Sequence, residues 1–151
     1  KSLLSIAVVD SNYNHDEQVE ALQNDFLAYA GTGDKHEVVD VDTSLLSGDD
    51  YNTVVKMTVV MGAGTADMMF CGEETYKKYK QQEAFLSWKE ILGDDYSKYE
   101  EYMTDDGRLD LEKCPNWEKY NMVYYSPVYA VVMSSSKNLE NCIKFLEMMV
   151  Q

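Results

Sequence analysis

Three times in the first half of the chain, a short apolar run ends in turn-forming residues and gives way to a helical pattern. This rhythm constrains the fold more than any other feature. The run Leu3-Leu4-Ser5-Ile6-Ala7-Val8-Val9 is interrupted only by Ser5, as expected of a central strand covered on both faces. Asp10-Ser11-Asn12 closes it with turn formers. Asp16 is placed to cap a helix carrying Val19, Leu22, Phe26 and Leu27 at helical spacing, with Gly31 and Gly33 as its stop. His36 to Val41 alternates as a second strand. Asp49-Asp50 open a second helix with Val54, Val55, Met57, Val59 and Met61, stopped at Gly62–Gly64. Asp67 to Cys71 is the third strand, and at Gly72 the pattern switches to a charged third helix running from Glu73 to about Gln82. Three such units in succession imply a parallel sheet with right-handed crossovers.

From Gly93 to Tyr120 the rhythm breaks. This stretch is acidic and tyrosine-rich; it reads as a short helix around Tyr96 to Met103, a turn at Asp106-Gly107, and loop or edge structure beyond. Strand character resumes over Val123 to Met133 around Pro127, a residue suited to a strand start or an edge. Leu139 to Met149 is a last amphipathic helix with Ile143, Phe145, Leu146 and Met149 inward. The expected architecture is one α/β domain over residues 1–151. It is a three-layer α/β/α sandwich around a mostly parallel sheet of four or five strands, with an irregular insertion at about 93–120.

Charge narrows the partners. With a formal net charge of −14 and no basic cluster larger than Lys77-Lys78-Tyr79-Lys80, the chain lacks the basic stripe that nucleic acid requires. An anionic lipid surface repels it for the same reason. No apolar run approaches the roughly 20 residues of a membrane-spanning helix. The chain begins at Lys1, and the expectation is that an upstream signal or anchor has been removed, so that any membrane attachment lies outside this sequence. Cys71, Cys114 and Cys142 have no paired spacing, which gives neither a disulfide framework nor a zinc site; Cys71 reads as a core thiol.

Catalytic patterns are missing. His15 and His36 are the only histidines, and neither belongs to a nucleophile motif. Gly62-Ala63-Gly64 precedes a strand rather than following one, so it is a helix stop and not a phosphate loop. The acidic pairs lack calcium-loop spacing. No cofactor and no metal is expected. In an open α/β sheet, ligands bind outside the carboxyl ends of the strands. Asp10, Ser11 and Asn12 after the first strand, and Gly72 and Glu73 after the third, are therefore the candidate ligand-binding residues, with Trp117 and Tyr125 above them. The crowd of Tyr96, Tyr99, Tyr102, Trp117, Tyr120, Tyr124 and Tyr125 can stack on a sugar or a protein partner, or simply cover the sheet edge.

Four segments carry a family resemblance: Met61-Gly62-Ala63-Gly64-Thr65-Ala66-Asp67-Met68-Met69-Phe70; Glu73 to Tyr79; Gln82 to Trp88; and Val128 to Asn138 leading into Cys142-Ile143-Lys144-Phe145-Leu146. Together they span about half the chain. This set resembles the extracytoplasmic solute-binding proteins of ABC transporters, of the sugar-binding type found as lipoproteins in Gram-positive bacteria. The resemblance implies one lobe of a two-lobed periplasmic-binding-protein fold, outside the membrane and anchored to the cell surface. It further implies a carbohydrate or similar small ligand, or a protein partner or second copy that covers the open edge. The family's glycine before its apolar "l-dL" segment is Ala84 here. A second resemblance, of Val8-Val9-Asp10-Ser11-Asn12 to the acidic turn of response-regulator receiver domains, implies a signalling role. The phosphoacceptor position of that family is Cys71 in this chain, and its second acid is Ser11, so the alternative is a degenerate receiver.

Overall fold

The computed structural model describes residues 1–151. Six strands form one sheet: β1 (Ser2–Val9), β2 (Val38–Leu45), β3 (Met68–Cys71), β4 (Phe85–Leu86), β5 (Leu109–Asp110) and β6 (Tyr129–Met133). Their order is β2-β1-β3-β6-β4, with β5 also on β6. The helices are α1 (Asp16–Ala30), α2 (Tyr51–Ala63), α3 (Glu73–Lys80), α4 (Trp88–Leu92), α5 (Trp117–Tyr120) and α6 (Leu139–Val150), joined by short 3-10 turns between Gly93 and Lys113.

The central strands read as continuous apolar runs because both faces are covered. In β1, Leu4, Ile6 and Val8 enter the larger core cluster with Leu22 and Phe26 of α1 and Phe145 and Leu146 of α6. Ala7 and Val9 enter a smaller cluster with Met57 of α2 and Tyr76 and Tyr79 of α3. The same period of two divides Met68 and Phe70 from Met69 and Cys71 in β3, all four with zero exposure.

The sheet is mixed. β1 pairs with β2 and with β3 in parallel. β6 returns from the far end of the chain, inserts beside β3 and runs antiparallel to β3, β4 and β5. β4 and β5 lie end to end along β6, one against Val132–Met133 and the other against Tyr129–Ala130. Strand boundaries also move: the second strand begins at Val38 and extends to Leu45. The strand expected around Pro127 begins only at Tyr129, after a cis Ser126–Pro127 bond.

Local expectations were met unevenly. Asp50 caps α2 by accepting the Thr53 N–H at 3.2 Å, and Gly64 ends that helix at φ 64, where a side chain is disfavoured. Asp16 is not the cap of α1; that position is His15, and Asp16 lies in the first turn, where its charge still suits the helix amino end. The insertion is not a surface appendage. Leu109, Leu111, Cys114, Trp117, Tyr120 and Met122 are all buried in the larger cluster, and the Trp88 indole donates to the Ala130 carbonyl at 3.0 Å from within it. The helix expected at Tyr96–Met103 is two 3-10 turns, Gly93–Lys98 and Glu100–Tyr102. All three cysteines are free and buried.

Candidate functional site

The carboxyl ends of β1, β2 and β3 and the start of antiparallel β6 share one edge of the sheet. At that edge Val9 hands over to Asp10, which holds φ 53, a left-handed conformation that Asp tolerates better than most residues. Its backbone N–H donates to Leu45 O at 3.0 Å, and its carboxylate accepts both the Ser47 N–H, at 3.0 Å, and the Ser47 hydroxyl. Asp10 thereby draws the loop after β2 over the end of β1.

From the other side comes Tyr125. Its hydroxyl donates to Val9 O at 2.7 Å, and its ring lies against Gly72, where an added Cβ would sit 3.3 Å from Cδ1. Gly72 leaves room for this close approach, and its φ of −89 is open to any residue. Burial raises the Tyr125 phenol far above its ordinary value, so it remains a neutral donor.

Glu73 opens α3 and is anchored twice. Tyr129 donates to its Oε1 at 3.0 Å and Arg108 to its Oε2 at 3.0 Å. Arg108, the chain's only arginine, has its guanidinium between two rings, 4.3 Å from the Tyr76 centroid and 4.5 Å from that of Tyr129. Its Nε donates to Asp106 at 2.8 Å. Burial pushes the Asp106 carboxyl up, but hydrogen bonds from Thr104 and Arg108 and the charges of Arg108 and Lys80 prevail and bring it down to about 2. Burial likewise opposes ionisation of Glu73, and Tyr129 and Arg108 overcome it. Burial and the bond to Glu73 lift Tyr129 to about 12. This clasp fastens the insertion to α3.

Between these elements lies a cleft of about 310 Å³ whose walls include Asp10, Ser47, Glu74, Thr75, Tyr124 and Tyr125. Of the residues expected to bind, the structure brings Asp10, Gly72, Glu73 and Tyr125 together here. Three lie elsewhere. Ser11 bridges to Val123 and donates to Thr43 O at 3.1 Å. Asn12 bonds Met122 O through its backbone at 2.7 Å and Val123 O through its side chain at 3.3 Å. Both therefore tie the edge together rather than face a ligand. Trp117 is a core residue, 3 % exposed and edge-on to Phe70 with centroids 5.5 Å apart, so it does not stand above the edge. Sequence reasoning missed Ser47 and Thr75 as walls and Arg108 as the clasp. The lone arginine in so acidic a chain was the available signal for the clasp.

The Cys71 thiol, at the end of β3, is fully buried and raised by that burial to about 12, so it is no thiolate nucleophile at neutral pH. No group of three or more His, Cys, Asp and Glu side chains is placed to hold a metal ion. A larger depression of about 510 Å³ opens at the opposite end of the sheet. Two of its groups are engaged: Glu37 accepts from Thr32 N at 2.7 Å, and the Lys1 amine donates to His36 O at 2.7 Å. No helix is long and apolar enough to cross a membrane. No protein-family model, curated protein or solved structure matches the chain.

Proposed function

We propose that this chain is a non-catalytic binding domain that takes a small polar solute at the carboxyl edge of its sheet. The observation that carries the reading is the cleft itself. Four loops converge on it, it pairs an aromatic wall with carboxylates and hydroxyls, and its one nearby thiol is buried and protonated. Hydroxyl-rich solutes suit such a surface, since a ring can stack on Tyr124 while hydroxyls donate to carboxylates.

The resemblance to one lobe of an extracytoplasmic solute-binding protein gains support from two features. The returning C-terminal strand β6 is built into the sheet between β3 and β4. Helices on both faces give the two core clusters of a three-layer arrangement. On this reading the chain acts outside the membrane as the soluble part of an anchored protein, and a protein partner or second copy covers the open edge. The tyrosines of the insertion are mostly packed inward, Tyr120 at 4 % exposure, so among the rings from Tyr96 to Tyr125 it is Tyr124 that is open to an outside molecule.

A thermal-shift screen of the full chain against sugars, amino acids and short peptides tests the reading. Binding to the folded state at a hundredfold above Kd adds about 2.7 kcal/mol and raises the melting temperature by several degrees. No shift with any class at millimolar concentration would sink it.

A further inference from the structure

The walls of the cleft are chemically lopsided. Tyr124 and Tyr125 are consecutive, yet their rings meet at 86° with centroids 5.9 Å apart, so the corner between them offers a face of each. Tyr125 is the fixed wall, pinned by its bond to Val9 and by Gly72. Tyr124 is the outer wall, 73 % exposed. Aromatic faces are the negative part of the ring quadrupole and attract a cation within about 6 Å of the centroid.

The charged residues lining the same cleft are Asp10, Glu73 and Glu74, with no Lys, Arg or His among them. Arg108 offsets Glu73 through their 3.0 Å pair. Asp10 accepts from Ser47 and has no cation beside it in the cleft, and Glu74 is exposed to solvent. Against these two uncompensated carboxylates, the amino end of α3 supplies about half a positive charge. The field in the cleft is negative. It disfavours phosphates, sulfates and carboxylates, and it gives a neutral sugar nothing that a cation would not gain more strongly.

We propose that the solute taken at this edge is a small organic cation of the ammonium class, seated in the Tyr124–Tyr125 corner with Asp10 and Glu74 supplying the attracting field. This rests on the binding reading above and narrows its ligand class. A cleft of about 310 Å³ suits a head group of choline size rather than a long chain.

The test is calorimetric titration of the full chain with tetramethylammonium and choline, alongside glucose and maltose. A further probe is choline's uncharged isostere, in which a tert-butyl group replaces trimethylammonium. The expected result is binding of the cations, with the isostere weaker by about tenfold and the cation affinity falling with salt. Tyr124→Phe keeps the affinity and Tyr124→Leu lowers it about fivefold; both change an exposed side chain, and folding is checked by thermal unfolding. Equal binding of choline and its isostere, or equal affinity of the Phe and Leu variants, overturns the proposal. Sugars bound while cations are not overturns it too and leaves the binding reading standing. No binding by any cation, sugar, amino acid or peptide removes the binding reading itself.

Discussion

Replacing Arg108 with Ala tests whether one side chain fastens the insertion to the sheet. The substitution removes ion pairs to Glu73 at 3.0 Å and Asp106 at 2.8 Å, and contacts with the Tyr76 and Tyr129 rings at 4.3 and 4.5 Å. The arginine side chain is 15 % exposed, but its acidic partners are 34 % and 36 % exposed, so each ion pair is discounted for solvent to about 1 kcal/mol. Each ring contact contributes about 0.5 kcal/mol. The total is about 3 kcal/mol, a fall in melting temperature of about 6–12 °C for a chain of this size. Arg108→Lys keeps the charge but loses the planar fork and the stacking, so it should fall between the two.

Acid should narrow the difference. The folded pKa values of Asp106 and Glu73 lie below their ordinary values of 3.8 and 4.5. Their contribution is therefore full above those values and lost as the pH falls through the folded ones, about 2 for Asp106. Thermal unfolding followed by circular dichroism at pH 7 and again at pH 3 reads both effects. A loss below about 1 kcal/mol at pH 7, or a gap that widens in acid, would refute the clasp and leave packing of Trp88, Leu109 and Leu111 as the whole attachment.

Phe70→Ala opens the centre of the larger cluster, where Phe70 meets Trp117 and Phe145; chemical denaturation should show a loss of about 3–5 kcal/mol. Gly72→Ala brings a Cβ to 3.3 Å from Tyr125, so the Tyr125 ring resonances should shift while stability falls by no more than about 1 kcal/mol. Cys71, Cys114 and Cys142 are buried and raised to about 12 by that burial, so a thiol reagent should label none in the native protein and all three in denaturant. Acetyl phosphate with magnesium should leave the intact mass unchanged; an acid-labile phosphoryl adduct would favour the signalling alternative instead.

The legible parts of the fold were those whose signal is local. β1 and β3 are apolar without interruption longer than one residue because helices cover both faces, and Asp50 and Gly64 mark the ends of α2 through cap chemistry. The direction of β6 was not legible, because an apolar run such as Val128–Met133 reads the same whichever way it pairs. β4 has two residues, too few for any period. The insertion hid its core because Leu109, Leu111, Cys114 and Trp117 hang from turns and short 3-10 segments, whose inward positions follow neither a period of two nor one of 3.6.

The site divides along the same line. The position of Asp10, Gly72 and Glu73 at one edge was legible because turn chemistry at a strand's carboxyl end is written next to the strand itself. Ser47 joins them only because β2 lies beside β1, and Tyr124 only because β6 returns antiparallel. Both facts belong to strand order, which no short window of sequence contains. Trp117 was misplaced for a simpler reason: a large ring in an irregular stretch fits a core and a ligand platform equally well until its neighbours are known.

The central claim is that solute binds at the carboxyl edge. Two-dimensional amide NMR of the labelled full chain, titrated with the best hit from the sugar, amino-acid, peptide and ammonium screens, tests it most directly. The expected shifts are confined to Asp10, Ser47, Gly72, Glu73, Thr75 and Tyr124 to Ser126, and saturate with ligand. Shifts centred instead on Leu3, Glu37 and Asn138 at the opposite end of the sheet, or a spectrum unmoved by every ligand, would contradict it.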